Sequence, residues 1–271
     1  MVTVDLSTIP VVILCGGQGT RLREETEYRP KPMVEIGSQP VLWHIMKIYR
    51  RYDLRRFVLC LGYKGWMIKQ YFLRYREMHQ DLTVSMASGE PPRLHPRSDA
   101  DGDAGDEDWE VTLAETGADS GTGARLRMVR RYVDTPTFCF TYGDAVGKVD
   151  IAALVRFHLE QGRLATVTGV HPTSRYGEMR VDGPRVVEFN EKPTAEGVVS
   201  GGFFVFQREV FDFLPEDRAL FFEHEPMRRL AREGQLSVYL HEDFWHPMDT
   251  YRDYLHLNEL WQRREAPWKV W

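Results

Sequence analysis

Residues 10–22 read PVVILCGGQGTRL, an unbroken apolar run that stops abruptly at glycines, a threonine and an arginine. An apolar run without polar alternation reads as a strand covered on both faces, the habit of parallel sheets. In an open parallel sheet, ligands lie beyond the carboxyl ends of the strands. Glycines placed there let backbone N–H groups approach an anion with no Cβ in the way. Arg21 adds a planar, permanently charged fork suited to phosphate oxygens. This junction therefore predicts an α/β fold with a polyphosphate site after the first strand, built on Leu14, Gly16, Gly17, Gly19, Thr20 and Arg21.

The rest of the chain continues the alternation of short apolar runs and helical patterns expected of a mostly parallel sheet covered by helices. VLWHIMKIYRRY carries Leu42, Ile45, Met46 and Tyr49 on one helical face, and RRFVLCL reads as the next strand. GWMIKQYFLRY is a helix, TFCFTYGD a strand ending in an acid, VDIAALVRFHLEQG a helix and RLATVTGVHP a strand. GEMRVDGPRVVEFN predicts a hairpin turning at Asp182-Gly183. GGFFVF is a further strand, EPMRRLAREG a helix closed by glycine, and QLSVYL and FWHPMD are extended. Thr250 is placed to cap a last helix bearing Tyr254, Leu257 and Trp261 on one stripe. Without an internal repeat or low-complexity linker, residues 1–271 read as one domain, with 88–108, rich in Pro, Gly and Asp, as an excursion.

The formal charge of −5 is local: six acids and no base lie between Asp99 and Asp108, so the remainder sums to +1. A nearly neutral body argues against nucleic-acid binding, which needs a basic face. The acidic run reads as a solvated loop. Aligned as a calcium loop from Asp99, it puts Ala104 where the sharp turn requires glycine, which argues against calcium. Cys15, Cys60 and Cys139 each sit in an apolar run and share no metal-ligand spacing, as expected of buried reduced thiols. No run approaches the roughly 18 apolar residues that span a bilayer, and no secretory signal precedes the first strand. The expectation is a cytoplasmic protein without a membrane partner.

The kind of phosphate site can be narrowed. Counted from Gly17, the last glycine of a dinucleotide fingerprint is replaced by Leu22, and the Gly-Lys of a Walker loop is absent. Instead RPKPMVEIG follows within a short distance and places Lys31 between two prolines, in an extended stretch. The pair GGQGTRL and KPMVEIG resembles the signature of sugar-1-phosphate nucleotidyltransferases, and the resemblance runs nearly the whole chain. Within that superfamily the chain is most similar to the glucose-1-phosphate cytidylyltransferase family, through LWHIMK, GYKG, YFLRY, VTLAETG, FTYGDAV, FNEKP, GGFFVF, FWHPMDT and APWKVW.

The resemblance implies a Rossmann-like three-layer nucleotidyltransferase fold with a mostly parallel mixed sheet, a magnesium cofactor, and a homo-oligomer. It implies transfer of a cytidylyl group from CTP to α-D-glucose 1-phosphate, giving CDP-glucose and pyrophosphate. The same chemistry with another nucleoside triphosphate or hexose 1-phosphate is the alternative. Arg21 and Lys31 are the implied catalytic cations, Thr122 and Gly123 join the nucleotide loop, and Asp144 and Asp249 hold the metal. On residue type alone, either acid reads equally as a helix cap or a turn acid. Tyr176, Gly177, Glu191, Lys192, Gly201 and Gly202 are the implied sugar-phosphate contacts, although paired glycines in a strand also fit a bulge. Cys15, Arg29, Ala124, Ala145 and Ser200 depart from the family pattern, whereas Arg21, Lys31, Asp144 and Asp249 keep it.

Overall fold

The computed structural model describes residues 4–87, 89–95, 107–172, 178–182, 184–190 and 197–271. Seven strands form its central sheet: β1 (Pro10–Cys15), β2 (Arg56–Leu61), β3 (Glu110–Glu115), β4 (Thr137–Tyr142), β5 (Ala165–Val170), β6 (Val199–Gln207) and β7 (Leu236–His241). Their spatial order is β7-β5-β6-β4-β1-β2-β3. β1 runs parallel to both β2 and β4, whereas β6 is antiparallel to both β4 and β5. The sheet is thus mixed but mostly parallel, as the sequence pattern predicts.

The run PVVILC is continuous in hydrophobicity because both faces of β1 are buried. Val11, Ile13 and Cys15 join one core cluster, and Val12 and Leu14 join the other. The first cluster is covered by α1 (Val41–Arg50), α2 (Gly65–Leu73) and, further along, α4 (Ile151–Gln161) and α6 (Tyr251–Gln262). The second lies beneath α3 (Thr122–Met128) and α5 (Glu225–Arg232), with Phe138, Phe140, Phe204, Phe206 and Phe222 packed edge to face and stacked. Three layers result. The hairpin of residues 178–190 forms as predicted, with Glu178–Asp182 antiparallel to Arg185–Asn190.

Two expectations need correction. The one-sided stripe assigned to α1 is too narrow, because Trp43, His44 and Ile48 are buried as well. The extra face is covered by the C-terminal residues: Trp268 is fully buried, Trp271 meets Trp43 edge on, and Arg51 Nε donates to the Val270 carbonyl at 2.9 Å. The acidic run is also not wholly solvated. The Glu107 side chain is only 6% exposed, takes hydrogen bonds from Tyr75 Oη at 2.6 Å and Trp43 Nε1 at 3.2 Å, and lies near Lys47. Asp108 pairs with Arg50 and Arg55. Residues 96–106 and the calcium alignment on them lie outside the described residues. All three cysteines are buried and free.

His158, on α4, is wholly buried beneath β5 and β6. Its Nδ1 lies 2.8 Å from Thr166 Oγ1 and its Nε2 lies 3.0 Å from the Gln207 amide nitrogen, which can only donate. The ring is therefore neutral with Nδ1 protonated, and a second proton would face a donor. Burial pushes its pKa down to about 4. The unfolded chain takes up that proton first, so the stability from His158 is present above pH 6.5 and is lost as pH falls toward 4. The loss should approach about 3 kcal/mol. Melting curves across that window should fall less steeply for His158→Gln than for the native chain.

Candidate active site

A cavity of about 560 Å³ opens where β1 and β4 end, bordered by the whole loop from Leu14 to Arg21. The strand ends are clamped together: Gly143 N donates to the Leu14 carbonyl and Tyr63 N to the Gly16 carbonyl. The glycines of this loop have different reasons. Gly19 has φ +63°, and a Cβ there would meet Thr26 at 2.7 Å. A Cβ on Gly16 would fall 2.0 Å from the Arg125 guanidinium. A Cβ on Gly17 would meet nothing within 4 Å, so the protein's own packing does not demand glycine there. The side of the loop at Gly17 faces open cavity.

Arg125, which sequence reasoning did not single out, organises the floor. It is 4% exposed, and it donates to the carbonyls of Gly16, Leu61, Gly117 and Ala118 and to Thr116 Oγ1, at 2.7 to 3.1 Å. A buried guanidinium is tolerable only where acceptors gather around it in this way. It ties the loop after β1 to those after β2 and β3. The clue in the sequence was its place in GTGARL, one turn after Thr122.

On the opposite wall Lys31 Nζ lies 2.6 Å from Asp144 Oδ2 and 2.7 Å from Asp249 Oδ1. Arg21 reaches the other oxygen of Asp249 at 2.8 Å although its side chain is 73% exposed. Burial works to lower the Lys31 pKa, but the charges and hydrogen bonds of Asp144 and Asp249 outweigh it and hold the ammonium above its ordinary value. Lys31 is not extended as expected. Pro32 supplies a helical φ, and residues Lys31–Met33 close a 3-10 turn through Met33 N to the Pro30 carbonyl. Asp249 is held from behind by the cap of α6: Asp253 Oδ2 accepts from the backbone N–H of Asp249 at 3.1 Å and of Thr250 at 2.7 Å. Met248 N donates to the Asp144 carbonyl, which fixes the two acid-bearing segments to each other.

The remaining wall carries Thr122, Tyr142 and Phe221. Tyr142 Oη and Thr122 Oγ1 both donate to Glu223, each at 2.5 Å, and Phe222 N donates to Thr122 Oγ1. Burial and the neighbouring Glu223 charge raise the Tyr142 phenol well above its ordinary pKa, so it stays a donor.

A family model described as "Nucleotidyl transferase" matches residues 10–264. The chain belongs to this nucleotidyl transferase family. Among proteins similar to this nucleotidyl transferase, a "Probable glucose-1-phosphate cytidylyltransferase" of Bacillus subtilis (strain 168) is 42% identical over 260 residues, covering 96% of this chain and 99% of its own. A "Glucose-1-phosphate cytidylyltransferase" of Salmonella typhi is 45% identical over 262 residues, covering 96% and 98%. The crystal structure of HddC from Yersinia pseudotuberculosis shares the fold, with a TM-score of 0.67 at 20% identity over 93% of this chain and 99% of that one.

Leu14, Gly16, Gly17, Gly19, Thr20, Arg21, Lys31, Thr122, Asp144 and Asp249 of this nucleotidyl transferase all border the one cavity. Gly123 is packed beneath Leu220 instead, and Ala124 is buried behind it in the second core cluster. Gly201 and Gly202 sit at the irregular stretch of β6. A Cβ on either would strike Val170 or the Tyr142 ring at 2.8 Å, so packing alone requires both glycines. Arg29 pairs with Glu35 at 2.8 Å and does not border the cavity. Tyr176, Gly177, Glu191 and Lys192 lie outside the described residues.

Two substitutions separate packing from ligand contact. Arg125→Met strips the Gly117 and Ala118 carbonyls of their buried donor and should cost about 3 kcal/mol in urea unfolding. Gly17→Ala should leave unfolding within about 0.5 kcal/mol of the native chain. The same change should weaken nucleoside triphosphate binding about tenfold by calorimetry, because the new methyl enters the space where a phosphate approaches the amides.

Proposed function

We propose that this chain transfers the cytidylyl group of CTP to α-D-glucose 1-phosphate, releasing pyrophosphate and forming CDP-glucose. The observation that carries the reading is the gathering of the glycine loop, Arg21, Lys31, Asp144 and Asp249 around one cavity, in a chain whose near-full-length relatives bear that name. An oxygen of the sugar phosphate forms a bond to the α-phosphorus while the bond to the pyrophosphate oxygen breaks. Both reactants are anions, so catalysis is chiefly positioning and charge neutralisation. The amides at Gly17 and the Arg21 fork take the phosphate chain. The Lys31 ammonium leaves its carboxylates to follow charge developing on the transferring phosphoryl group.

Asp144 and Asp249 fit a magnesium site. Their carboxylate oxygens converge on a single cation position, now served by Lys31, and magnesium commonly takes one or two carboxylates with phosphate and water completing its shell. When bound, the ion supplies further positive charge to the triphosphate. In the same reading Tyr176, Gly177, Glu191, Lys192, Gly201 and Gly202 serve the sugar phosphate, with lysine as a point charge and glutamate accepting from hydroxyls. The enzyme works as a homo-oligomer in the cytoplasm, where its three free cysteines stay reduced. No helix among the described residues is long and apolar enough to cross a membrane.

Pyrophosphate release should be fastest with CTP and glucose 1-phosphate in a panel of nucleoside triphosphates against hexose 1-phosphates. An equal rate with another nucleotide would reject the cytidylyl assignment while leaving the reaction class intact. Asp144→Asn should lower turnover at least ~1,000-fold with an unchanged circular dichroism spectrum. It should also weaken Mn²⁺ binding measured by electron paramagnetic resonance, and undiminished Mn²⁺ affinity would remove Asp144 from the metal site.

A further inference from the structure

A second cavity, of about 720 Å³, lies on the far side of α3. Five arginines border it, Arg127, Arg130, Arg131, Arg208 and Arg218, against two acids, Glu216 and Asp217, a formal excess of three positive charges. Such a concentration of like charge is costly unless something neutralises it, and internal partners are few. Arg127 Nε is buried without a hydrogen-bond partner, and its terminal nitrogen stands 3.6 Å from a Glu216 that is 91% exposed. A buried donor without a protein partner is left to bond a water or an anionic ligand, and beside four further arginines an anion suits it. Arg131 stacks on Tyr132 and makes no ion pair among the described residues, and neither does Arg218. Arg208 is aimed by its Nε bond to the Val133 carbonyl, and Arg130 pairs with Asp212 over the Phe211 ring.

We propose that this cavity is a second anion site, which takes a small molecule bearing two or more phosphates. Guanidinium forks match phosphate oxygens in pairs, and the volume admits a nucleotide-sized ligand. A single phosphate, carrying about −2 at most, does not neutralise the excess of three, so a polyphosphate chain is the better fit. The site is wired to the catalytic cavity by two segments. Helix α3 places Thr122 and Arg125 on the catalytic cavity and Arg127 on the second. The segment 216–222 does the same: Arg218 borders the second cavity and Phe221 the first, while Gly121 N donates to the Arg218 carbonyl and Gly123 N to that of Leu220. An anion that holds Arg127 and Arg218 together therefore steadies the wall formed by Thr122 and Phe221.

The test uses inorganic tripolyphosphate on the full chain carrying Arg21→Ala and Lys31→Ala, which disable the catalytic phosphate cradle. Calorimetry should find one remaining site per chain, weakened at least tenfold when Arg127→Gln and Arg131→Gln are added. No binding to the cradle-disabled chain, or an affinity indifferent to the two arginines, overturns the proposal. CTP in place of tripolyphosphate should also bind, more tightly if the base contributes and equally if the phosphate chain alone is read. Should the arginine variants fail to fold, hydrogen exchange of the native chain decides, with tripolyphosphate slowing residues 127–131 and 216–218 or, on failure, leaving them unchanged. If Arg127→Gln with Arg131→Gln instead splits an oligomer in sedimentation, the cavity is a subunit contact and the proposal fails. Arg127→Gln with Arg131→Gln in the otherwise native chain should still turn over CTP, whereas failure of the catalytic reading removes turnover from the native chain as well, which keeps the two distinguishable.

Discussion

Two carboxylates that reach for one ammonium set the arrangement of this molecule. Asp144 and Asp249 cannot stand so close without a cation between them, since like charges at such range repel strongly in a partly buried setting. Lys31 meets that need, and it comes from a segment 113 residues from one acid and 218 from the other. The three meet only because β1 lies beside β4 in the sheet and because α6 begins over the same strand ends. The packing of both core clusters against β1 is thus what holds opposite charges at hydrogen-bond distance. Both carboxylates bind the ammonium at hydrogen-bond distance, so the cation is held in place from two segments of the chain.

The other wall uses neutral main-chain groups held in place by buried charge. Arg125 gathers carbonyls from three segments, at the ends of β1, β2 and β3, and ties them together. The loop glycines divide accordingly. Gly16 and Gly19 are there because the protein leaves no room for a side chain, whereas Gly17 has room and still lacks one.

Much of this was legible in the sequence, for identifiable reasons. The β1 run, the glycine loop and the Thr250 cap are local features whose physics acts within one turn of chain. The hairpin at 178–190 is likewise a short-range signal. Arg125 was missed because its role depends on three loops that meet only in the folded chain. Glu107 was misread because an acidic run predicts solvation, while a tertiary pocket of Trp43, Tyr75 and Lys47 takes one of its acids out of water. The extended setting assigned to Lys31 gave way to a 3-10 turn because Pro32 is as well suited to a first helical turn as to an extended one. Both glycines of β6 were legible as special, but packing against Val170 and Tyr142 accounts for them without a ligand.

The contrast between the two ends of the cavity explains why reaction class was easier to read than substrate. Every nucleoside triphosphate carries the same phosphate chain, so amides, an arginine and a lysine on a short stretch suffice to hold it. A base or a sugar must be told from near-identical competitors, which takes hydrogen-bonding groups whose loss leaves partners unpaired. Thr122, Tyr142 and Glu223, drawn from three separate segments, form one such set of polar groups, held in a network by hydrogen bonds at 2.5 Å. Substitution of any one changes the set of donors and acceptors at that end and leaves the phosphate end intact. The glycine loop lies within one short stretch of chain, whereas this polar network is assembled by the fold.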